Sequence, residues 1–386
     1  MISMPETELL SPTATSTRAY KVLHVGKFYP PHMGGIETHL QTLCGELSKS
    51  LQLHVIVASD DSRHSDEVVN GVAVSRLATR VSVASTPICP SMVTQIHGTD
   101  ADIVHMHFPN PLAVMALLTS RYRGRVVVTY HSDTVRQKVL GPLFEPWLQA
   151  ALRRSAAIIT TSPNYQRTSA ALARHLDRCN VIPYGIHVDH FAGANPHEVA
   201  RLRGQFGNRV VISVGRLVYY KGFEHLIRAM AKVDGRLVIV GDGPLREKLR
   251  VLTNSLDLSG KIVFAGEIQN EAVIPYYHAA DVFALASVAR SEAFGIVQIE
   301  AMAAGLPVVN TGLDSGVPFV SLHEQTGLTV PPGDPDALAV ALNRLLDDHG
   351  LRQKFGAGGR NRAMQEFSVT AMTRKTLALY DRVMHK

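Results

Sequence analysis

The sequence lacks any uninterrupted apolar run near the roughly 20 residues that a membrane-spanning helix requires, so such a helix is not expected. Its start lacks a basic segment followed by an apolar stretch. Met1 to about Arg18 is instead rich in Ser, Thr and Pro without apolar periodicity, so residues 1–19 read as a disordered tail and not as a signal peptide. Cysteine is scarce. Cys44, Cys89 and Cys179 are odd in number, far apart and free of C-x-x-C spacing, which argues against disulfides or a zinc site and for buried free thiols in a reducing cytoplasm. The G-x-G-x-x-G spacing of a dinucleotide site is absent after the first strand, and so is the lysine of a P-loop. A dehydrogenase and a P-loop ATPase are thereby disfavoured.

What is present describes a large, well-buried α/β protein. At 386 residues the chain is too long for one ordinary core, and two domains are expected. Hydrophobic residues at 46% and charged residues at 19% suit burial and argue against extended disorder. The net charge of +6 favours anionic partners, but charge alone does not choose among nucleic acid, phosphorylated ligands and acidic membranes. Short β-rich apolar runs recur, each followed by a helical pattern, as parallel α/β units require. In the first half they lie at about Lys21–Gly26, Leu53–Ala58, Val72–Leu77, Asp102–His107, Val126–His131 and Ala157–Thr161. In the second they lie at about Val210–Gly215, Arg236–Gly241, Lys261–Ala265, Asp281–Leu285 and Pro307–Asn310. Each half is expected to form its own doubly wound, Rossmann-like sheet, residues 20–183 and 184–369, with Pro183 and Gly185 breaking regular structure within Asn180–Asp189 and a less ordered stretch following to about Asn208. A last helical pattern, about 370–386, carries Met372, Leu377, Leu379, Tyr380 and Val383.

The richest segment runs from Ser291 to Pro307 and reads as loop, helix and turn. It sets Glu292 in the loop and Glu300 about two turns further on, so the two carboxylates reach different parts of one ligand. The free N–H groups of Phe294, Gly295 and Ile296 would face an anion at the helix start. That pattern suits a sugar diphosphate, with carboxylates on sugar and ribose hydroxyls and amides on the phosphates. The plain alternative is an acidic residue favouring the helix dipole and a solvated glutamate.

A second segment breaks the tie. Gly215 and Arg216 end the first strand of the second half, and Lys221 and Gly222 open the next helix, placing two cations in a glycine-flanked loop at a strand's carboxyl end. There open α/β sheets bind ligands, and Arg and Lys neutralise a diphosphate by fork and point charge. The turn at Gly243 and Pro244 brings backbone near a ligand or is an ordinary Asp-Gly turn, with Pro244 suited to a first helical turn. Gly266 ends another strand, and Glu267 and Ile268 after it can offer backbone groups to a nucleobase. In the first half, Gly34 and Gly35 open the first helix and allow amides to approach a phosphate. His131 stands at a strand's carboxyl end, although a lone histidine is more often a core or surface residue.

Taken together, these segments resemble the retaining family-four glycosyltransferases of the GT-B fold, a group that includes bacterial mannosyltransferases of surface polysaccharide assembly. The match runs from Tyr20 onward. It rests on the family's E-x7-E motif at Glu292 and Glu300, on Gly215, Arg216, Lys221 and Gly222, on the Gly-Asp-Gly-Pro turn and on the N-terminal Gly-Gly-x-Glu. The resemblance implies two Rossmann-like domains facing across a cleft, with the second as donor domain, the first as acceptor domain and the last helix crossing back to the first. It implies that Glu292 binds donor-sugar hydroxyls, Glu300 the ribose, Arg216 and Lys221 the diphosphate, and that His131 lies beside the transferring sugar. It implies a hexosyltransferase with no bound metal or cofactor, and no Asp-x-Asp pair stands in the loop where a metal would be held. The chain departs from the family at Tyr184, where relatives often carry Asn, and at His187, an insertion in the pattern.

The donor expected is GDP-mannose, with a UDP-sugar of glucose or N-acetylglucosamine as the alternative. The acceptor is a glycan or a lipid-linked glycan. Leu140 to Arg154 mixes bulky apolar residues with an Arg pair, which suggests a peripheral contact with the membrane surface by a cytoplasmic enzyme at the inner face of the cytoplasmic membrane. A sugar phosphorylase or an epimerase could share the architecture. A non-enzymatic anion or nucleic-acid binder is motivated by charge alone, and without a recognisable nucleic-acid module no nucleic-acid partner is expected.

Overall fold

The computed structural model describes residues 20–32, 34–83, 86–133, 140–268 and 270–386, so the expected tail at 1–19 lies outside the described residues. The first sheet holds β1 (Lys21–Val25), β2 (Gln52–Ala58), β3 (Ser65–Val69) and β4 (Val72–Leu77). A separate hairpin follows, β5 (Val81–Val83) with β6 (Thr86–Ile88). The sheet continues with β7 (Ile103–Phe108), β8 (Arg125–Tyr130), β9 (Ala157–Thr160) and β10 (Cys179–Val181). Its order is β10-β9-β8-β7-β1-β2-β4-β3, parallel throughout except for β3. The second sheet is wholly parallel, with β11 (Val210–Val214), β12 (Arg236–Val240), β13 (Ile262–Gly266), β14 (Val282–Leu285), β15 (Val308–Thr311) and β16 (Gly327–Val330) in the order β13-β12-β11-β14-β15-β16. This is a two-lobed GT-B architecture.

The strands read as apolar runs because helices cover both faces of each sheet. The five strands that the periodicity misses, β3, β5, β6, β10 and β16, are short or polar. β3 is an exposed, charged edge strand, and β10 and β16 span three and four residues. The stretch expected to be less ordered contains a helix, Pro196–Phe206, whose start is fixed by the Asn195 side chain accepting from His197 N–H and whose end is closed by Gly207 at φ 78°. Cys44 and Cys89 are buried free thiols, and Cys179 is half-buried.

Two chain crossings join the lobes and lie side by side. Ile186 N–H donates to Phe367 O (2.9 Å) and Val369 N–H to Ile186 O (3.0 Å). A Cβ on Gly185 would come within 2.7 Å of Ser368 O, so only glycine permits this approach. Beyond the second crossing the last helix, Val369–Met384, starts on its Ser368 cap and lays Met372, Leu379, Tyr380 and Val383 against Val22, Ile103 and Val127 of the first sheet.

In each sheet the chain reverses direction of travel at one place, between β11 and β14 and between β1 and β7. At such a switch point the loops beyond the strand ends diverge and leave a crevice.

Candidate active site

The loops after β11 and β14 meet over the second crevice. Gly222 takes φ 66°, and a Cβ there would lie 2.0 Å from Ala286 O, while Val288 N–H donates to Tyr220 O (2.8 Å). This clasp presses Lys221 against Glu292, Nζ to Oε2 at 2.5 Å, with 11% and 10% of the two side chains exposed. Ser287 Oγ also donates to Glu292 Oε2 (3.2 Å). Arg216 lies on the same loop with its side chain exposed and, among the described residues, without a hydrogen bond or ion pair. The two cations are thus unlike: one is neutralised in place, the other is free to meet an anion.

Glu300 lies in the first turn of the short helix Val297–Ala303, where Tyr277 Oη donates to its Oε2 (2.7 Å). Burial pushes the Glu300 carboxyl above its ordinary pKa, opposed by the Tyr277 hydrogen bond and the Lys221 charge. Glu300 and Ile268 line a cavity of about 870 Å³ that also touches Val214, Val297 and, across the cleft, Thr38 and Gln41 of the first helix, Gly35–Leu47. Its size suits a nucleotide sugar.

Several expectations need correction. The helix after Glu292 starts at Val297 and not at Phe294, because Gly295 at φ 76° breaks the chain first, so Phe294, Gly295 and Ile296 precede the helix. The Phe294 side chain is core, edge-on to Tyr184 (5.0 Å between rings). Pro244 stands before the Leu245 cap and not in the first turn. A Cβ on Gly243, at φ 159°, would lie 2.6 Å from Leu217 O, so this glycine serves the packing of two loops. Gly266 ends β13 at φ 77°. Gly34 and Gly35 do stand at the start of the first helix, and a Cβ on Gly35 would meet nothing within 4 Å. Glu300 is no solvated surface glutamate, since it is bonded and shielded.

The first crevice holds what the sequence did not reveal. His24 of β1, His105 and His107 of β7 and His131 just beyond β8 project from one face of the sheet, and all are buried. Tyr184 Oη bonds His131 Nδ1 (2.6 Å), His131 Nε2 bonds His107 Nδ1 (3.0 Å) and His107 Nε2 bonds His24 Nδ1 (3.0 Å). Tyr380 Oη then bridges His24 Nε2 (3.2 Å) and His105 Nδ1 (2.6 Å), and His105 Nε2 reaches Thr129 Oγ1 (2.6 Å). Burial drives every one of these imidazoles far below the usual histidine pKa, His24 to about 3, so all are neutral at pH 7. His39 joins them from the first helix, its ring 5.2 Å from that of His131, its pKa lowered by burial to about 3 and both its nitrogens unpartnered. The trios His24, His105, His107 and His39, His107, His131 bring ring nitrogens close enough to hold a metal ion, though in the first trio the hydrogen bonds already occupy every nitrogen. His131 therefore has no free ring nitrogen for a sugar in this conformation. The i,i+2 pair His105 and His107 in an otherwise apolar strand was the one cue available.

Next to His131, Asp133 ties the lobes together. Its carboxylate accepts from Tyr130 Oη (2.9 Å), Ser169 Oγ (2.7 Å) and Arg290 Nη2 (3.2 Å), and Arg290 Nη1 also donates to Thr168 O (3.0 Å). Arg290 precedes Glu292 by two residues, so the latch joins both crevices.

The comparisons agree with this geometry. Residues 33–190 match Glycosyltransferase Family 4, and residues 201–362 match Glycosyl transferases group 1. The chain is 31% identical over 352 residues to D-rhamnosyltransferase WbpZ of Pseudomonas aeruginosa, covering 90% of this chain and 92% of that one. It is 31% identical over 367 residues to the GDP-mannose-dependent alpha-(1-6)-phosphatidylinositol monomannoside mannosyltransferase of Mycolicibacterium smegmatis, covering 90% and 94%. Among solved structures, Anabaena HepE in complex with UDP superposes with a TM-score of 0.76 at 21% identity over 94% of this chain and 100% of that one. With two sheets, paired loops at a switch point and relatives matched over nearly their full length, the chain belongs to the GT-B glycosyltransferases of group 1 and family 4, enzymes that transfer a hexose from a nucleotide-diphosphate sugar to an acceptor.

Proposed function

We propose that the loops after β11 and β14 hold the donor, that the first lobe receives the acceptor, and that transfer retains the donor's anomeric configuration without a metal. The observation that carries this reading is the Lys221–Glu292 pair beside an unpaired Arg216 at the second switch point. The pair is already aligned, so Glu292 offers its remaining lone pairs to sugar hydroxyls while Lys221 and Arg216 face the diphosphate. In a front-face transfer the bond from the anomeric carbon to the diphosphate breaks as the bond to the acceptor oxygen forms. The acceptor proton passes to the departing phosphate oxygen, whose growing charge the two cations stabilise. Glu300, with its raised carboxyl, takes the ribose hydroxyls, and the Ile268 backbone takes the base.

Two donors compete. GDP-mannose is favoured by the mycobacterial relative, and a UDP-sugar of glucose or N-acetylglucosamine by the UDP held in HepE. The acceptor is a glycan or a lipid-linked glycan. On the helix Leu140–Arg154, Leu143 and Trp147 share an exposed face while Leu148, Ala151 and Leu152 face the core, an arrangement that supports a peripheral membrane contact. No described helix is long and apolar enough to cross a membrane.

Incubation with GDP-mannose, UDP-glucose and UDP-N-acetylglucosamine, with and without chelator, tests the reading by mass spectrometry of released nucleotide and by nuclear magnetic resonance of the product anomer. One donor turned over in chelator with retained configuration is the expected result. An inverted product, or turnover that requires added magnesium or manganese, would overturn the mechanism.

A further inference from the structure

The chain of hydrogen bonds from Tyr184 through His131, His107, His24, Tyr380 and His105 to Thr129 starts on one crossing between the lobes and passes through the helix that follows the other. Tyr184 belongs to the first crossing, next to Gly185, whose N–H donates to Met372 Sδ (3.2 Å). Tyr380 belongs to the helix that starts at the second. Tyr184 also touches both lobes: its ring stacks at 5.6 Å on His131 and 4.6 Å from His39, and stands edge-on to Phe294, the residue before Gly295 of the donor loop.

The proton count of this chain is constrained. A neutral imidazole carries one N–H and one lone pair, so each link sets the next. If Tyr184 O–H donates to His131 Nδ1, then His131, His107 and His24 must all carry their proton on Nε2. Tyr380, fully buried and bonded only to His24 and His105 among the described residues, passes the same sense on to His105. In the opposite sense all four carry it on Nδ1. With every buried O–H and N–H of the chain bonded, the network therefore has two arrangements and no mixed one, which makes it a bistable element in contact with the first crossing at Tyr184 and with the last helix at Tyr380.

We propose that Tyr184 and Tyr380 are positioning residues for the transfer reaction: through the shared tautomer of four buried imidazoles they hold the two lobe crossings, His131 and the Phe294 loop in the arrangement from which transfer occurs. The inference rests on the hexosyltransferase reading. It assigns function to Tyr380, which lies on the last helix and lines no part of the cavity beside Glu300.

The test uses the full chain labelled with ¹⁵N-histidine, together with Tyr380→Phe and Tyr184→Phe. The wild type is expected to show His24, His105, His107 and His131 as one common neutral tautomer. Tyr380→Phe should split that set, lower kcat about tenfold and leave KM for the donor and the affinity for the nucleoside diphosphate within twofold. Tyr184→Phe should lower kcat similarly. Different tautomers among the four imidazoles of the wild type would overturn the proposal, since such a set leaves a buried O–H or N–H without a partner. So would an unchanged kcat per folded molecule in Tyr380→Phe with a lowered melting temperature, which is the mark of a structural role alone. The tautomer readout needs no turnover, so failure of the donor assay in the wild type would count against the hexosyltransferase reading and leave the network result to stand or fall separately.

Discussion

At the second crevice the side chains that meet are charged, come from loops and lie close together in sequence, as with Lys221 and Glu292 over the ends of β11 and β14. At the first they are neutral, come mostly from strands and are gathered from His24 to Tyr380. The sheets share one design, so the difference lies in what each crevice must do. A loop can carry charge because it borders solvent and is relieved by a ligand. A central strand such as β7, buried along its whole length, carries polar groups only if each is bonded to another.

Acid should separate the two regions most sharply. The buried imidazoles have folded-state pKa values far below the 6.5 of the unfolded chain, His24 and His39 at about 3, so the unfolded state binds more protons and stability falls as pH falls through the window from 6.5 towards 3. Each imidazole costs about 1.4 kcal/mol per pH unit in that window, and five of them cost on the order of the whole stability of a domain by pH 5.5. Urea midpoints at pH 7.5 and 5.5 measure this; equal midpoints would show that the histidines are not buried neutral.

In the second crevice, Lys221→Ala leaves Glu292 nearly buried and unpaired. A loss of about 3 kcal/mol in stability is expected, with turnover down about 100-fold. Melting and single-turnover kinetics check both, and Lys221→Ala with Glu292→Gln should restore stability but not turnover. Arg216→Ala, by contrast, should leave melting unchanged, since the side chain is exposed and unpaired, and weaken nucleoside diphosphate binding by about 1.5–3 kcal/mol in calorimetric titration. Equal effects from Arg216 and Lys221 on stability would erase the distinction drawn between them. The smallest change is expected from Gly35→Ala, where a Cβ meets nothing: within about 0.5 kcal/mol in stability, with any loss confined to ligand affinity.

The loops after β11 and β14 were legible because their logic is local. Glycine, cation and glutamate at set distances after an apolar strand describe a strand-end anion site before any contact is known. The helix start was misplaced because Gly295 takes a left-handed turn that its neighbours, not its sequence, impose: a Cβ there would lie 2.8 Å from Leu285 Cδ2 and Gln298 Nε2. The histidine chain escaped because its members are spread from His24 to Tyr380, 356 residues apart, and each histidine alone deserves the reading of an ordinary core residue.

The sequence by itself determined the alternation of strands and helices, the division into two sheets and the residues that bring charge to the second crevice, because each depends on periodicity or on short-range chemistry. Only the tertiary structure decided that Lys221 is neutralised by Glu292 while Arg216 is not, that both ring nitrogens of His131 are spoken for, and that one chain of bonds joins Tyr184 on the first crossing to Tyr380 on the last helix. These are properties of parallel strands brought side by side, and adjacency in a sheet is set by the order of its strands, which no stretch of sequence shorter than the whole lobe contains.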